Sequence, residues 1–323
     1  MPKRYDPTAY LYASARIRAL ENRLTSKEQW SRMTELHSAQ EVLAAYAEKG
    51  TKDDKRENAA EEALRAAFAT VAESVPDPAL ILFLQYPYDC NNVKALEKCR
   101  LRGADPTDLL IDLGSIPTNT LQTVSENELL TLLPPHMAAA LPAAREAFGK
   151  TGDPREIDFL LDKAAFADMQ AAAAPFPFAA MIVETRAELT NLLICHRLIR
   201  MDIKEMGRSL LERAAIPCGR FDLQTLLQWY DGGEDALIGA LSGTPYAKIP
   251  DKDATLSVIE KRADDHVSAL VRQAKSVVFG AEVPIAYLMA IENESKNLRI
   301  LLAAKNAGLD GAATRARMRE HYV

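Results

Sequence analysis

The chain has 323 residues, 48% of them apolar, and a formal net charge of −6. This length and composition allow a substantial core, in one large domain or in two to three ordinary ones. The negative net charge argues against nucleic acid as the main partner, because nucleic-acid binding usually needs a basic face. The sequence contains neither an apolar run long enough to span a membrane nor a signal peptide at MPKRYDPTAY, so we expect a cytosolic protein.

Helix starts are the strongest local signals along the chain. Asp suits the N-cap and Pro the first helical position, and the pair occurs four times, beginning at Asp6, Asp77, Asp105 and Asp153. Capping boxes at Ser26–Gln29 and Ser125–Glu128 each lead into apolar sequence of helical period. Gly103 and Gly308 follow basic, periodic segments, as helix C-terminal glycines do.

Between these marks the apolar residues recur every three or four positions, as in the stripe Tyr10, Ala13, Ile17, Leu20 and Leu24. Runs that alternate with period two are almost absent. The best strand candidate, SVVFG at 276–280, is interpreted as the end of a helix. The sequence therefore predicts an all-α fold.

Three of the predicted helices share one pattern: an acid, an asparagine three positions later, and then Val or Leu. The matched residues are Asp89, Asn92 and Val93; Glu188, Asn191 and Leu192; and Glu294, Asn297 and Leu298. The asparagines lie 99 and 106 residues apart. The serines of the two capping boxes are also 99 residues apart, and Asp222 is the expected cap of the third copy.

This spacing indicates an internal repeat of about a hundred residues. We predict three similar helical modules, at 1–103, 104–202 and 203–323. Three copies of one unit suggest pseudo-threefold symmetry, in the form of a funnel or cup.

The acid–asparagine pairs have two interpretations. They could do chemistry, or they could fix register, since a buried asparagine costs stability unless its amide is paired. Because the pattern occurs at three matching places, we interpret Asp89/Asn92, Glu188/Asn191 and Glu294/Asn297 as structural repeat positions.

No other motif points to an active site. FGKTG at 148–152 has Ala144 where a P-loop needs its first glycine, so it is interpreted as a helix end. Cys195 and His196 are adjacent on a helix and point about 100° apart, which disfavours a shared metal. The cysteines show no metal-ligand spacing and are expected to be reduced thiols, at Cys90, Cys99, Cys195 and Cys218. We predict no catalytic, cofactor-binding or metal-binding residue.

The basic tail RARMREHYV, at 315–323, has two interpretations. It could be a terminal helix that contacts a partner, or it could be simply exposed to solvent. We expect it to be exposed.

Several segments in order resemble one family, the C subunit of prokaryotic V/A-type rotary ATPases, whose eukaryotic relative is the d subunit of the vacuolar ATPase. The resemblance runs nearly end to end. It rests on YLYASARIRALENRLTSKEQ (10–29), ETRAELTNLLICHRLIR (184–200), AAIPCGRFD (214–222) and ENESKNLRILLAAKNAGL (292–309). The cysteines and lysine of YPYDCNNVKALEKC and the alanine tract at 171–175 depart from the expected pattern.

The resemblance implies a non-catalytic rotor component on the cytoplasmic side of the cell membrane. Its expected partners are the central shaft subunits of the D and F type and the membrane proteolipid (c/K) ring, with neither nucleic acid nor direct membrane insertion. It implies torque transmission for H⁺ or Na⁺ translocation. From the residues themselves, a helical scaffold that binds a protein or peptide in a concave face is the alternative, and an all-α enzyme is the third.

Overall fold

The computed structural model describes residues 5–47, 59–124, 126–217 and 219–323. Within these ranges every regular element is a helix, so the predicted all-α fold is confirmed. The first eight α-helices are α1 (Leu11–Glu21), α2 (Lys27–Glu35), α3 (Ala39–Ala47), α4 (Ala59–Ser74), α5 (Leu82–Arg102), α6 (Thr118–Thr123), α7 (Glu126–Leu132) and α8 (Pro135–Thr151). The others are α9 (Arg155–Ala173), α10 (Pro177–Met201), α11 (Lys204–Ala214), α12 (Leu223–Leu241), α13 (Leu256–Arg272), α14 (Glu282–Asn306) and α15 (Gly311–Arg317).

The chain divides into two compact units. Unit 1 combines Met1–Ile81 with Ala254–Val323, and unit 2 is Leu82–Asp253. The prediction of three modules and that of a pseudo-threefold funnel or cup remain predictions.

Unit 1 joins the two ends of the chain in one core. Helix α14 packs against α1, α3 and α4, and α15 packs against α2. Their buried side chains include Trp30 of α2, Val42 of α3, Leu298 of α14 and Met318 from the tail. Residues far apart in sequence therefore stabilise the same core.

Unit 2 is centred on two long helices, α9 and α10. Helices α5 and α8 pack on α9, and α11 and α12 pack on α10. A cluster of buried apolar side chains fills the space between α5, α8 and α9, and it includes Val93, Met137, Leu141 and Leu161. These positions recur at helical spacing, which is why the three helices bury one face each.

The predicted helix starts are mostly confirmed. Ser26 and Gln29 form the capping box of α2, with Ser26 N donating to Gln29 Oε1 at 2.9 Å. Asp222 caps α12 by accepting from Thr225 N at 2.8 Å. Ser125, of the other capping box, lies outside the described residues.

The four Asp-Pro pairs begin helical turns, but only one of them begins an α-helix directly. At each pair the aspartate accepts a hydrogen bond from the amide two residues on. The first three lead into the 3₁₀ helices Pro7–Tyr10, Pro78–Ile81 and Thr107–Leu109, whereas Asp153 precedes α9. An aspartate side chain can accept this hydrogen bond at the start of a 3₁₀ helix as well as at the start of an α-helix. The Asp-Pro pair therefore does not distinguish the two kinds of helix.

The predicted helix ends agree with the structure. Gly103 follows α5 with φ 64° and Gly308 follows α14 with φ 67°, in the left-handed region that favours glycine. Gly152, of the FGKTG segment, ends α8 with φ 68°. SVVFG is no strand, and it begins where the 3₁₀ helix Gln273–Ser276 ends.

Candidate functional site: three buried polar pairs

The first polar pair lies on α5 and binds the segment that follows this helix. Asn92 Nδ2 donates to the carbonyl of Ile111 at 2.9 Å, and Ile111 N donates to Asn92 Oδ1 at 2.8 Å. Asp89 accepts from Ser115 N at 3.0 Å and from Ile116 N at 3.1 Å. Burial raises the pKa of the Asp89 carboxyl, while these hydrogen bonds act in the opposite direction.

The second pair, on α10, repeats this arrangement. Asn191 Nδ2 donates to the carbonyl of Ile216 at 2.8 Å, and Ile216 N donates to Asn191 Oδ1 at 2.8 Å. Glu188 accepts from Arg220 N and from the hydroxyl of Tyr246. The pair thus binds the connection between α11 and α12.

The third pair, on α14, keeps the asparagine contact and changes the carboxylate contact. Asn297 Nδ2 donates to the carbonyl of Arg319 at 3.1 Å, and Arg319 N donates to Asn297 Oδ1 at 2.8 Å. Glu294 accepts from the backbone N–H of Thr25, which is 269 residues earlier in the chain.

All three asparagines therefore do the same thing: each pairs with the N–H and the C=O of one later residue. The partner lies 19, 25 and 22 residues ahead in the three cases. All three amides are buried, at 0 to 1% exposure, and paired on both sides, as buried polar groups need to be. The geometry gives the pairs a means of fixing the connecting segments, and the assignment as structural repeat positions remains a prediction.

Two glycines at these sites are missing from the sequence-based prediction. A Cβ at Gly114 would collide with the Asp89 carboxylate, and a Cβ at Gly219 would lie 2.6 Å from Glu188 Oε1. Gly219 also has φ 66°. The acids can approach the backbone closely only because these positions have no side chain.

A sequence signal for these glycines exists. The bound segments read IDLGS at 111–115 and IPCGR at 216–220, so both are Ile-x-x-Gly followed by the residue whose amide binds the acid. The pattern is too short to be found without knowing which residues the asparagines bind.

The expectation that the basic tail is exposed holds for only part of it, since Arg315–Arg317, Glu320 and Val323 are exposed and other residues are not. Met318 is 4% exposed and Tyr322 is 7% exposed. His321 stacks on Trp30 with ring centroids 5.7 Å apart, and Tyr322 donates to Glu21 Oε1 at 3.1 Å. Met318 and the aromatic residues after Arg319 pack against the rest of unit 1, while several charges of the tail remain at the surface.

Cys195 and His196 face different partners, as their adjacent helical positions predict. Cys195 Sγ lies 3.6 Å from the carbonyl oxygen of Leu226, and burial raises the pKa of this thiol to about 12. His196 Nε2 lies 2.8 Å from Glu234 Oε1, and burial lowers the pKa of this imidazole. Cys90, Cys99 and Cys195 are buried free thiols, and Cys218 lies outside the described residues.

Metal clusters and membrane spans are both absent from the described part of the chain. It contains no group of three or more His, Cys, Asp or Glu side chains placed to hold a metal ion. None of its helices is both long and apolar enough to cross a membrane.

These features define an all-helical protein in which three buried asparagines, and the acids that precede them on the same helices, bind its own backbone. The family model described as ATP synthase (C/AC39) subunit matches residues 13–317, and the chain belongs to this family.

Two relatives are similar over nearly their whole length. The C subunit of the V-type sodium ATPase of Enterococcus hirae is 24% identical over 321 residues, which cover 95% of this chain and 97% of the relative. The C subunit of the A-type ATP synthase of Thermococcus onnurineus is 20% identical over 345 residues, which cover 94% of this chain and 88% of the relative. The resemblance seen in the sequence is thereby confirmed.

Proposed function

We propose that this chain is a non-catalytic central-stalk rotor component of a prokaryotic V/A-type rotary ATPase. In this role it links the central shaft of the soluble head, made of D- and F-type subunits, to the membrane proteolipid (c/K) ring. It transmits torque between ATP turnover in the head and H⁺ or Na⁺ translocation in the membrane. Its place is the cytoplasmic side of the cell membrane, as a peripheral part of the complex.

The observation that carries the proposal is the family match over residues 13–317. It is supported by two relatives of similar length, which are named as the C subunits of a V-type sodium ATPase and of an A-type ATP synthase.

A torque-transmitting part needs stiffness, and the polar pairs supply a physical basis for it. Closely packed interiors have low compressibility and transmit strain. Connecting segments are usually the mobile parts of a helical protein. Here the segments around Ile111, Ile216 and Arg319 are each held by a buried asparagine on a long helix.

The test is to tag the chain in its native host, purify it from detergent-solubilised membranes, and delete its gene in parallel. The tagged chain should co-purify with the head, the shaft and the proteolipid ring. In the deletion strain, the soluble head should still hydrolyse ATP, but ATP-driven uptake of H⁺ or Na⁺ into inverted vesicles should fall to background. Expressing the chain again should restore the uptake.

Purification of the tagged chain without head and ring components would contradict the proposal, as would normal ion uptake in the deletion strain. A stoichiometric complex with an unrelated protein would favour the scaffold alternative instead.

A further inference from the structure

A groove in unit 1 concentrates positive charge in a chain whose net charge is −6. It has a volume of about 580 Å³ and is formed by α2, α13, the 3₁₀ helix Gln273–Ser276, α15 and the tail. The cations that line it are Lys27, Lys261, Arg272, Lys275, Arg315 and Arg319. Glu320 is the one acidic side chain among the described residues of its lining.

Four of these six cations have a carboxylate partner. The ion pairs are Lys261–Asp265, Arg272–Glu320, Arg315–Glu35 and Arg319–Asp264. Ion pairs near the surface contribute little stability and can rearrange around a ligand.

The other two cations, Lys27 and Lys275, have no carboxylate partner among the described residues. Lys275 lies over the ring of Tyr322, with Nζ 5.0 Å from the ring centroid. Both side chains are exposed at the groove. The groove therefore has positive charge that its own acids leave uncompensated.

The floor of the groove is held by burial, stacking and hydrogen bonds. Trp30 is 1% exposed and stacks on His321 at an interplanar angle of 10°. Arg272 donates to the carbonyl of His321 at 3.3 Å, and Asn297 fixes the backbone of Arg319. A pre-formed arrangement of cations loses less entropy when a ligand binds.

We propose that this groove binds a small multivalent anion that carries phosphate groups. Arginine forks and lysine ammonium groups are the side chains that recognise phosphate oxygens, and here three arginines and three lysines converge from several elements. Two or three linked phosphates carry enough oxygens to contact several of these cations at once. Such a chain can be free, as in pyrophosphate, or part of a nucleoside triphosphate.

The pKa of His321 can report whether an anion is bound in the groove. Burial lowers the pKa of its imidazole, and Lys27 and Lys261 lower it further, whereas Asp265 and Glu320 act in the opposite direction. A bound anion adds negative charge beside this ring and raises its pKa. Protonated His321 changes the fluorescence of the stacked Trp30, and Trp229→Phe removes the signal of the second tryptophan.

The experiment is titration calorimetry of the full chain at low ionic strength with orthophosphate, pyrophosphate and ATP. Pyrophosphate should bind with a sub-millimolar Kd and raise the pH midpoint of the Trp30 signal in the W229F background. Lys27→Ala with Lys275→Ala should weaken binding at least tenfold. Lys150→Ala, an exposed lysine on α8 in unit 2, is the matched control and should leave binding unchanged.

The three anions distinguish the source of the phosphate. Equal affinity for pyrophosphate and ATP identifies the phosphate chain as the ligand, and much tighter binding of ATP identifies a nucleotide. Absence of binding to all three anions overturns the proposal, as does equal binding by the double lysine variant with unchanged circular dichroism.

A separate observation concerns two buried polar atoms next to the third polar pair. Thr25 Oγ1 and Trp30 Nε1 have no hydrogen-bond partner among the described residues, although both residues are 1% exposed. Both residues line a small cavity of about 10 Å³ together with Glu294 and Asn297. A space of this size admits the centre of one water molecule, and polar cavities of this kind are usually hydrated.

We infer that one water molecule binds there and bridges the threonine hydroxyl to the indole N–H. Thr25→Val tests this, because it replaces the hydroxyl by a methyl group of the same shape. If the hydroxyl binds water, the variant should have a lower urea midpoint. If it binds nothing, removal of an unpaired buried hydroxyl should leave the midpoint unchanged or raise it, and that result overturns the inference.

Thr314→Val calibrates the scale of this measurement. Thr314 is 0% exposed, and its hydroxyl donates to the carbonyl of Asp310 at 2.7 Å, so its loss should lower the midpoint.

Discussion

The second and third polar pairs make the same asparagine contact and different carboxylate contacts. In unit 2, Asn191 and Glu188 bind residues of one short segment, Ile216 and Arg220. In unit 1, Asn297 binds Arg319, but Glu294 reaches Thr25 from the other end of the chain. The asparagine contact is therefore local in both places, and only the third acid joins distant parts of the sequence.

This difference shows how one pattern serves two tasks. Glu188 and its amide partner are 32 residues apart, so the contact closes a short loop. Glu294 and Thr25 are 269 residues apart, and their contact lies beside the shared core of α2 and α14. The residue before the amide that binds the acid also differs between the two units. Gly219 precedes the bound amide in unit 2, whereas Leu24, 6% exposed, precedes it in unit 1.

The largest effect is expected at this glycine. Gly219→Ala places a side chain at φ 66°, which costs about 1–2 kcal/mol. It also pushes a Cβ against Glu188, and such overpacking costs about 1–3 kcal/mol more. We expect a total loss of about 2–5 kcal/mol in the free energy of unfolding, measured by urea denaturation.

Two matched glycines separate these contributions. Gly152→Ala has the same backbone problem, at φ 68°, and no atom within 4 Å of its Cβ, so it should lose only about 1–2 kcal/mol. Gly114 has no positive φ, and its alanine variant tests the collision with Asp89 alone. Equal losses for Gly219→Ala and Gly152→Ala would show that the acid does not need its close approach.

The asparagine contacts should come next in size. Replacing Asn191 by Leu removes the hydrogen bonds that it makes with the N–H and the C=O of Ile216, and a typical hydrogen bond contributes about 0.5–1.5 kcal/mol. Because Ile216 is buried and Arg319 only half-buried, Asn191→Leu should cost about 1–3 kcal/mol and Asn297→Leu somewhat less. Urea denaturation measures both losses.

Asn293→Leu is the control for the third pair. Asn293 lies one turn earlier on α14 and donates to the carbonyl of Glu320 in an exposed hydrogen bond, so its loss should be small. If Asn297→Leu is no more costly than Asn293→Leu, the buried amide does not hold the tail. In the assembled complex, Asn297→Leu should weaken coupling and leave ATP hydrolysis by the isolated head unchanged.

The sequence was sufficient for the fold class and for the residues of the polar pairs. Helical periodicity, caps and C-terminal glycines are local properties, and they predicted the all-α fold. The repeated acid and asparagine were visible because they recur at nearly constant spacing. These signals depend on few residues at fixed distances along the chain.

The partners of those residues could not be predicted in the same way. Asn92 and Asn191 bind residues 19 and 25 positions ahead, so the loop lengths differ between copies. The contact of Glu294 with Thr25 depends on packing between the two ends of the chain, which no local pattern encodes. The partial burial of the tail could not be predicted for the same reason, since its charges are local and its packing against Trp30 is not.

The carboxylates distinguish the two regions more directly than the asparagines do. Glu294→Gln and Glu188→Gln keep the shape of each side chain and weaken the charge-assisted hydrogen bonds, which are worth about 1.5–3 kcal/mol in the wild type. We expect losses of about 1–2 kcal/mol. Hydrogen exchange should quicken around Arg220 and Tyr246 in Glu188→Gln, but around Thr25, near the other end of the chain, in Glu294→Gln. Unchanged exchange at Thr25 in Glu294→Gln would show that Glu294 does not join the two ends of the chain.

The smallest effect concerns pH, and we test it with one histidine from each unit. Burial lowers the pKa of His196 in unit 2 and of His321 in unit 1 below the usual value of 6.5. Between pH 6.5 and the folded-state pKa, the unfolded chain binds more protons than the folded chain. The contribution of each neutral histidine to the free energy of unfolding is therefore fully present above about pH 6.5 and is lost as the pH falls. The slope is at most about 1.4 kcal/mol per pH unit for each histidine. Urea midpoints between about pH 7.5 and 5 should fall less steeply in His196→Gln and His321→Gln than in the wild type.

Added salt separates the two histidines. His196 is 0% exposed and touches Glu234, whereas the half-buried His321 faces Lys27 and Lys261. Because salt screens exposed charges far more than buried ones, it should change only the contribution of His321 appreciably. Repeating the urea series at low and high salt measures this difference. If salt changes the stability contributions of His196 and His321 equally, the lysines of the groove do not influence the pKa of His321.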